Sequence, residues 1–258
     1  MDIVFLGGAF GNGSDGAWWT ERMRPFLPEA RWHIPPYHDE KWGPADSVVE
    51  ATNAVRRWLL WRSEKLQHGV VVIAYSMGAQ VLRCLLSSTA SNPVRIKRAV
   101  FWSGVPSAGV SLAGVARTTW AAPVSLARAL LTGDCRLRSV DDIVRMMYSG
   151  DQTRRKDALE MMMRMHAERM YGLAGEVFLP GMRVNLPPVP KSIPIFAICP
   201  EPDVIVGGSM YEGENLEMLT TPEFGSHALL RDAVTEGSDL EEIHVRAAQF
   251  LRAAPRYS

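Results

Sequence analysis

Ser76 lies in the stretch GVVVIAYSMGAQVLRCLL, residues 69–86, where a β-branched run stops at AYSMGA and a helical pattern starts at once. A serine hydroxyl is a poor nucleophile unless a base takes its proton and dipoles stabilise the oxyanion that forms. A tight strand-to-helix turn supplies part of this by geometry. It lifts the hydroxyl out at the carboxyl end of the strand and sets the positive end of a helix behind it. Such a turn is crowded, so the residues two before and two after the serine must be small. Ala74 and Gly78 meet that condition, with Ala79 next, and the string is G-x-S-x-G with its first glycine replaced by alanine. A fold that needed only a turn would more readily place Gly, Asn or Asp there.

An activated serine needs an acid and a histidine, and both follow it in the chain. CPEPDVIVGGSM places Asp203 just past a late apolar run, and TTPEFGSHALLRD places His227 after Gly225-Ser226, before the last helical pattern. If the apolar runs are parallel strands, their carboxyl ends share one edge of the sheet, and Ser76, Asp203 and His227 meet there. The remaining histidines are poorer bases. His33 falls on a strand, His38 in a loop, His68 at a helix end, and His166 and His244 on helices.

The elements that must position these residues are legible as alternating patterns. Ile3–Leu6, Arg31–Ile34, Val70–Ala74, Arg98–Trp102 and Ile193–Ile198 read as strands. Helices are expected near Ala17–Leu27, from Ser47 to Gln67 with Asp46 or Ser47 as N-cap, over Ala79–Leu86, and from Ser238 to Ala253. Continuous apolar strands between helices imply a mostly parallel sheet covered on both faces. About ninety residues separate Trp102 from Ile193, far more than one crossover needs. They read as helices at Val124–Leu131, Val140–Tyr148 and Thr153–Tyr171. The last carries ALEMMMRMHAERM, whose methionines suit either a core-facing stripe or an adaptable pocket lining. Residues 105–191 are therefore expected to form a helical insertion on a core of residues 1–104 and 192–258.

Composition narrows the functional classes. Hydrophobic residues at 47% and charged residues at 22% suit a globular chain that buries a core. Lys+Arg and Asp+Glu are both 28, so the net charge of zero leaves no footprint for nucleic acid or an anionic membrane. No stretch approaches the roughly 18 apolar residues of a membrane-spanning helix. MDIVFLGG lacks a basic leader and reads as a first strand rather than a signal peptide. The three cysteines, Cys84, Cys135 and Cys199, follow no metal-ligand spacing, and Cys84 and Cys199 sit in apolar segments as free thiols. The expectation is a cytoplasmic protein with neither metal nor cofactor. GGAFGNG after the first strand invites a dinucleotide reading, but its spacing is not G-x-G-x-x-G and no acidic residue follows the second strand where one is needed.

Taken together, LGGAF, AYSMGA, PEPDVIV and GSH make the sequence resemble the α/β-hydrolase superfamily, over Gly7 to His227. GGAFGNGSDGAWW looks like the HGA-x-x-GAWxW pattern of the small methylesterase and hydroxynitrile-lyase branch, with Gly7 in place of its histidine and a short insertion around Asn12–Asp15. The resemblance implies an α/β-hydrolase fold with a helical cap inserted after the strand ending near Trp102. It implies that Ser76 is the nucleophile, His227 the general base, and Asp203 the residue that orients the histidine. The oxyanion hole would be the backbone N–H groups of Met77 and Ala9, with Phe10 the neighbouring alternative. The missing histidine at position 7 leaves that chemistry intact, since the donors are backbone groups.

The substrate is less constrained. Phe10, Trp18 and Trp102, with Trp19, are candidates to face the pocket. No Lys/Arg cluster near the site calls for a phosphorylated or CoA-bound substrate, so the expected partner is a small-to-medium, largely apolar ester or lactone. The same constellation serves thioester cleavage, carbon–carbon hydrolysis or a lyase reaction, and SMGA is close to the SMGG elbow of carbon–carbon hydrolases. A ligand-binding receptor with vestigial hydrolysis is the reading from a different class.

Overall fold

Among the described residues, six strands pair into one sheet: β1 (Asp2–Leu6), β2 (Arg31–His33), β3 (Val70–Tyr75), β4 (Ile96–Trp102), β5 (Ile195–Pro200) and β6 (Glu217–Thr221). The computed structural model describes residues 1–8, 16–36, 46–87, 94–165, 173–178, 186, 189–206, 216–221, 226–232 and 234–253. Every strand pair is parallel and the order is β2-β1-β3-β4-β5-β6. Side chains of β1, β3 and β5 are buried along their whole length. Successive residues of a strand point to opposite faces, so both faces of the sheet are covered. From β1 the chain first adds β2 on one side and then β3 on the other. The carboxyl ends of β1 and β3 therefore flank the point where the winding reverses, the place where open α/β sheets bind their ligands. Gly7-Gly8 follow β1 and Ser76 follows β3.

The helices are α1 (Gly16–Thr20), α2 (Val48–Arg62), α3 (Gly78–Ser87), α4 (Leu112–Ala121), α5 (Pro123–Thr132), α6 (Val140–Met147), α7 (Arg155–Arg164), α8 (Leu173–Phe178) and α9 (Asp239–Arg252). α2 starts where the sequence signals it. Ser47 is extended and its hydroxyl accepts from the Glu50 N–H at 3.0 Å, which settles the cap in favour of Ser47 over Asp46. Glu176 of α8 accepts from the Val48 N–H at 2.6 Å, and so satisfies another open donor of the same helix end. α4 to α8 all lie between β4 and β5.

Four expectations need correction. The helix expected over 17–27 is only α1, followed by a 3₁₀ turn at Arg24–Phe26 that Pro25 starts. The helix expected over 47–67 ends at Arg62 and tightens to a 3₁₀ turn over Ser63–Leu66. α4 was not anticipated, and neither was β6. β6 is an edge strand whose Glu217, Met218 and Thr220 are exposed, so it carries no apolar run to read. In the methionine-rich helix, Ala158 and Met161 are buried while Met163 faces solvent, so the stripe is core-facing as far as Met165; the expected continuation to Tyr171 lies outside the described residues. Among the described residues, no helix is long and apolar enough to cross a membrane.

Candidate active site

β3 delivers Ser76 into a left-handed backbone conformation, φ 51°. For a residue with a Cβ this costs about 1–2 kcal/mol, and the surroundings hold it in place. The Ser76 N–H donates to Trp102 O at 3.2 Å, and Ser76 O accepts from the Val105 N–H at 2.8 Å. The turn is thus pinned to the end of β4 while α3 starts at Gly78. The small residue after the elbow is explained directly: a Cβ on Gly78 would lie 2.2 Å from Leu6 O and 2.8 Å from Gly7 O. The glycine-rich segment after β1 passes equally close on the other side, because a Cβ on Gly8 would meet Ser76 Cβ and the Tyr75 ring at 3.1 Å.

Asp203 sits in the turn after β5, its N–H bonded to Pro200 O at 3.2 Å. One carboxylate oxygen accepts from the N–H groups of Ile205 and Val206 at 2.8 and 2.9 Å, which fixes the plane of the carboxylate. The other lies 2.9 Å from His227 Nδ1. His227 Nε2 lies 2.9 Å from Ser76 Oγ. Ser76, Asp203 and His227 are all buried. With a proton on Nδ1, directed at Asp203, Nε2 can accept one from the hydroxyl, and a serine so placed can act as a nucleophile. The Met77 N–H, at the head of α3, donates to no acceptor among the described residues.

The structure scatters the other candidates. Ala9 and Phe10 lie outside the described residues. Trp102 was expected to face a pocket, and here the structure corrects the reading. Its side chain is fully buried with its ring 4.9 Å from that of His244 on α9, so it is core, and only its backbone carbonyl serves the elbow. Trp18 is buried with the Arg231 guanidinium 4.0 Å over its ring, and its carbonyl accepts from the same arginine at 2.5 Å. It ties α1 to the 3₁₀ turn Leu229–Arg231, two residues past His227. Trp19 packs edge-on to Trp18 and stacks on Tyr75 at 4.4 Å. Tyr75 was missed altogether. Its ring is 5.4 Å from that of His227, its hydroxyl is buried with no partner among the described residues, and burial pushes its pKa well up, so it stays neutral. Its only sequence signal was adjacency to Ser76. Among the described residues, no group of three or more His, Cys, Asp and Glu is placed to hold a metal ion.

No protein-family model matches the chain, and no curated protein matches its sequence. Solved structures do match over nearly the whole length. An extracellular α/β-hydrolase from a Paenibacillus species superposes with a TM-score of 0.61 at 14% identity, covering 97% of this chain and 98% of that one. The chain has the α/β-hydrolase fold. A pyrethroid hydrolase from Sphingobium faniae with the same α/β-hydrolase fold gives 0.58 at 14% identity over 100% and 99%. The thioesterase RedJ of the prodiginine pathway in Streptomyces coelicolor gives 0.59 at 18% over 94% and 85%. Within the α/β-hydrolase fold, sequences this far apart share an architecture, and the chemistry must be argued from the site.

Proposed function

We propose that the chain is a serine hydrolase that cleaves a small-to-medium, largely apolar carboxylic ester or lactone through an acyl-enzyme on Ser76. The observation that carries this reading is the unbroken relay from Ser76 Oγ through His227 to Asp203, with both links at 2.9 Å and the serine held at positive φ. His227 Nε2 takes the hydroxyl proton as Oγ bonds to the substrate carbonyl carbon, and the carbonyl oxygen becomes an oxyanion. The Met77 N–H, which has no acceptor among the described residues, is the first donor to it. Ala9, next to the Gly8 that packs on Ser76, is the second by sequence. Collapse expels the alkoxide, which takes the proton from His227. Water then attacks the acyl group with His227 again as base, and the acid leaves. Asp203 keeps the imidazole oriented and stabilises its charged form.

An uncharged substrate is favoured because Tyr75, whose ring lies 5.4 Å from that of His227, packs on Trp19, which packs on Trp18, and the arginines near Trp18 are each paired: Arg231 with Glu21 at 3.0 Å and Arg164 with Glu160 at 3.1 Å. Residues 105–191 act as the cap in this reading. Solved neighbours named as a pyrethroid hydrolase and a thioesterase support cleavage of ester-like bonds. The test is labelling with a fluorophosphonate, the modified peptide being identified by mass spectrometry, alongside a panel of p-nitrophenyl esters and thioesters. Modification at Ser76 in wild type and none in Ser76→Ala is expected. A folded wild type that resists the probe overturns the proposal.

A further inference from the structure

The loops that carry Asp203 and His227 leave the sheet 24 residues apart in sequence, yet the two side chains meet at 2.9 Å. Both loops are bonded to one short segment that belongs to neither, the turn that closes α6. On one side, Ser149 Oγ donates to Pro202 O at 2.7 Å, next to Asp203. On the other, the Ala228 N–H donates to Met147 O at 2.9 Å, next to His227, and Arg154 Nη2 pairs with Asp232 Oδ1 at 2.9 Å. α4 adds a longer contact to the acid loop, from Arg117 Nε to Val204 O at 3.3 Å.

The conformation of the turn says what Ser149 is for. Its φ is 51°, Gly150 follows at 87°, and the Gly150 N–H bonds back to Val144 O at 2.9 Å. Glycine takes a left-handed position without strain, whereas serine gives up about 1–2 kcal/mol there. Ser149 is exposed, so packing does not repay that cost. What serine offers and glycine lacks is the hydroxyl, and it is spent on the carbonyl beside Asp203.

We infer that the turn Met147–Arg154 is a clamp that fixes the acid loop relative to the histidine loop, with Ser149 and Arg154 as positioning residues for the Ser76 reaction. This rests on the hydrolase reading above. It makes the helical insertion part of the machinery that aligns the relay, because a shift of α6 is transmitted to both loops through bonds adjacent to Asp203 and His227.

The test uses Ser149→Gly, which removes the hydroxyl and relieves the backbone. A merely structural role leaves kcat unchanged and holds or raises Tm. The clamp requires kcat on a short p-nitrophenyl ester to fall about tenfold with KM within about twofold, below the roughly 100-fold that a 1 Å misplacement costs. The rate of fluorophosphonate labelling at Ser76 should fall by the same factor. Ser149→Asn, which tolerates the left-handed region and carries an amide donor, should recover a large part of the loss. Arg154→Gln tests the histidine side and should lower kcat in the same way. Wild-type labelling rates in both Ser149→Gly and Arg154→Gln, with Ser76 labelled in wild type, overturn the clamp. Absence of labelling in wild type overturns the hydrolase reading itself, and the two failures are thereby told apart.

Discussion

A methyl group at position 78 would stand 2.2 Å from the carbonyl oxygen of Leu6, a backbone atom of β1 that cannot rotate away. Gly78→Ala must therefore push α3 off the end of β1. It is expected to destabilise by about 3 kcal/mol or more, at the upper end of overpacking costs. Urea denaturation reads this directly, and an unchanged midpoint would show that the elbow has room to spare. Asp203→Asn tests the opposite kind of residue, one where little folding energy but much chemistry is at stake. The amide oxygen can still accept from Ile205 and Val206, while an amide N–H facing Nδ1 imposes the wrong tautomer on His227. A fall in kcat of about 10⁴ is expected, with the unfolding midpoint little moved. A loss of less than tenfold would separate Asp203 from the relay. Ser76, Asp203 and His227 were legible because a small-x-Ser-x-Gly string, an acid after a strand and a histidine before the last helix form an ordered set. Trp102 was not, since a large aromatic at a strand end looks the same in sequence whether it faces a cavity or the core. Ser149 gave no signal either, because its contact with Pro202 joins residues 53 positions apart.

At the scale of elements, legibility followed burial. β1, β3, β4 and β5 are largely buried and so carry continuous apolar runs, after Asp2 in β1 and after Lys97-Arg98 in β4, which is why the parallel sheet could be read at all. β6 closes the edge with Glu217-Met218-Leu219-Thr220-Thr221, half polar and largely exposed, and its strand character comes only from pairing with β5. α4 is built from LAGVARTTWA, whose small residues give a weak helical stripe, and its largest side chain, Trp120, points to solvent. Ser47, one of the two caps expected for α2, does cap it, and Ser238, where the last helix was expected to begin, caps α9, each accepting from the N–H three residues on. Ser47→Ala should cost about 1 kcal/mol. The loss is expected to be smaller than for an isolated helix end, because Glu176 continues to hold the Val48 N–H. The double variant Ser47→Ala, Glu176→Gln tests this. Its cost in urea denaturation should exceed the sum of the single costs if the two groups back each other up, and should equal that sum if they act independently.

The whole molecule adds a dependence on pH that no single element shows. Asp232 follows the His227 segment into a nearly closed site, and its carboxyl is held near 6 rather than the ordinary 3.8. Desolvation is the largest cause. Asp157 and Asp151 push the same way, and Arg154 pulls against them without prevailing. An acid that binds its proton more tightly folded than unfolded withholds stability above its folded pKa and returns it as pH falls, so the gain develops between about pH 7 and pH 4. The size is at most about 3 kcal/mol. Other groups run in the opposite sense. His244 is buried with its pKa lowered by desolvation, so its contribution is lost as pH falls through the ordinary histidine range. Glu29 is drawn down to about 2 by its bond to Arg252, so its stabilising contribution is lost as pH falls from about 4.5 toward 2. The wild-type curve is the sum of these, so the informative quantity is a difference. Asp232→Asn removes one titration and leaves the others in place. The stability of wild type minus that of Asp232→Asn should therefore rise by about 2 kcal/mol between pH 7.5 and pH 4.5, measured by urea denaturation at each pH. A difference that stays flat would mean that Arg154 fully compensates the burial of Asp232, and that the contact between the insertion and the histidine loop is an ion pair at every pH at which the protein is folded.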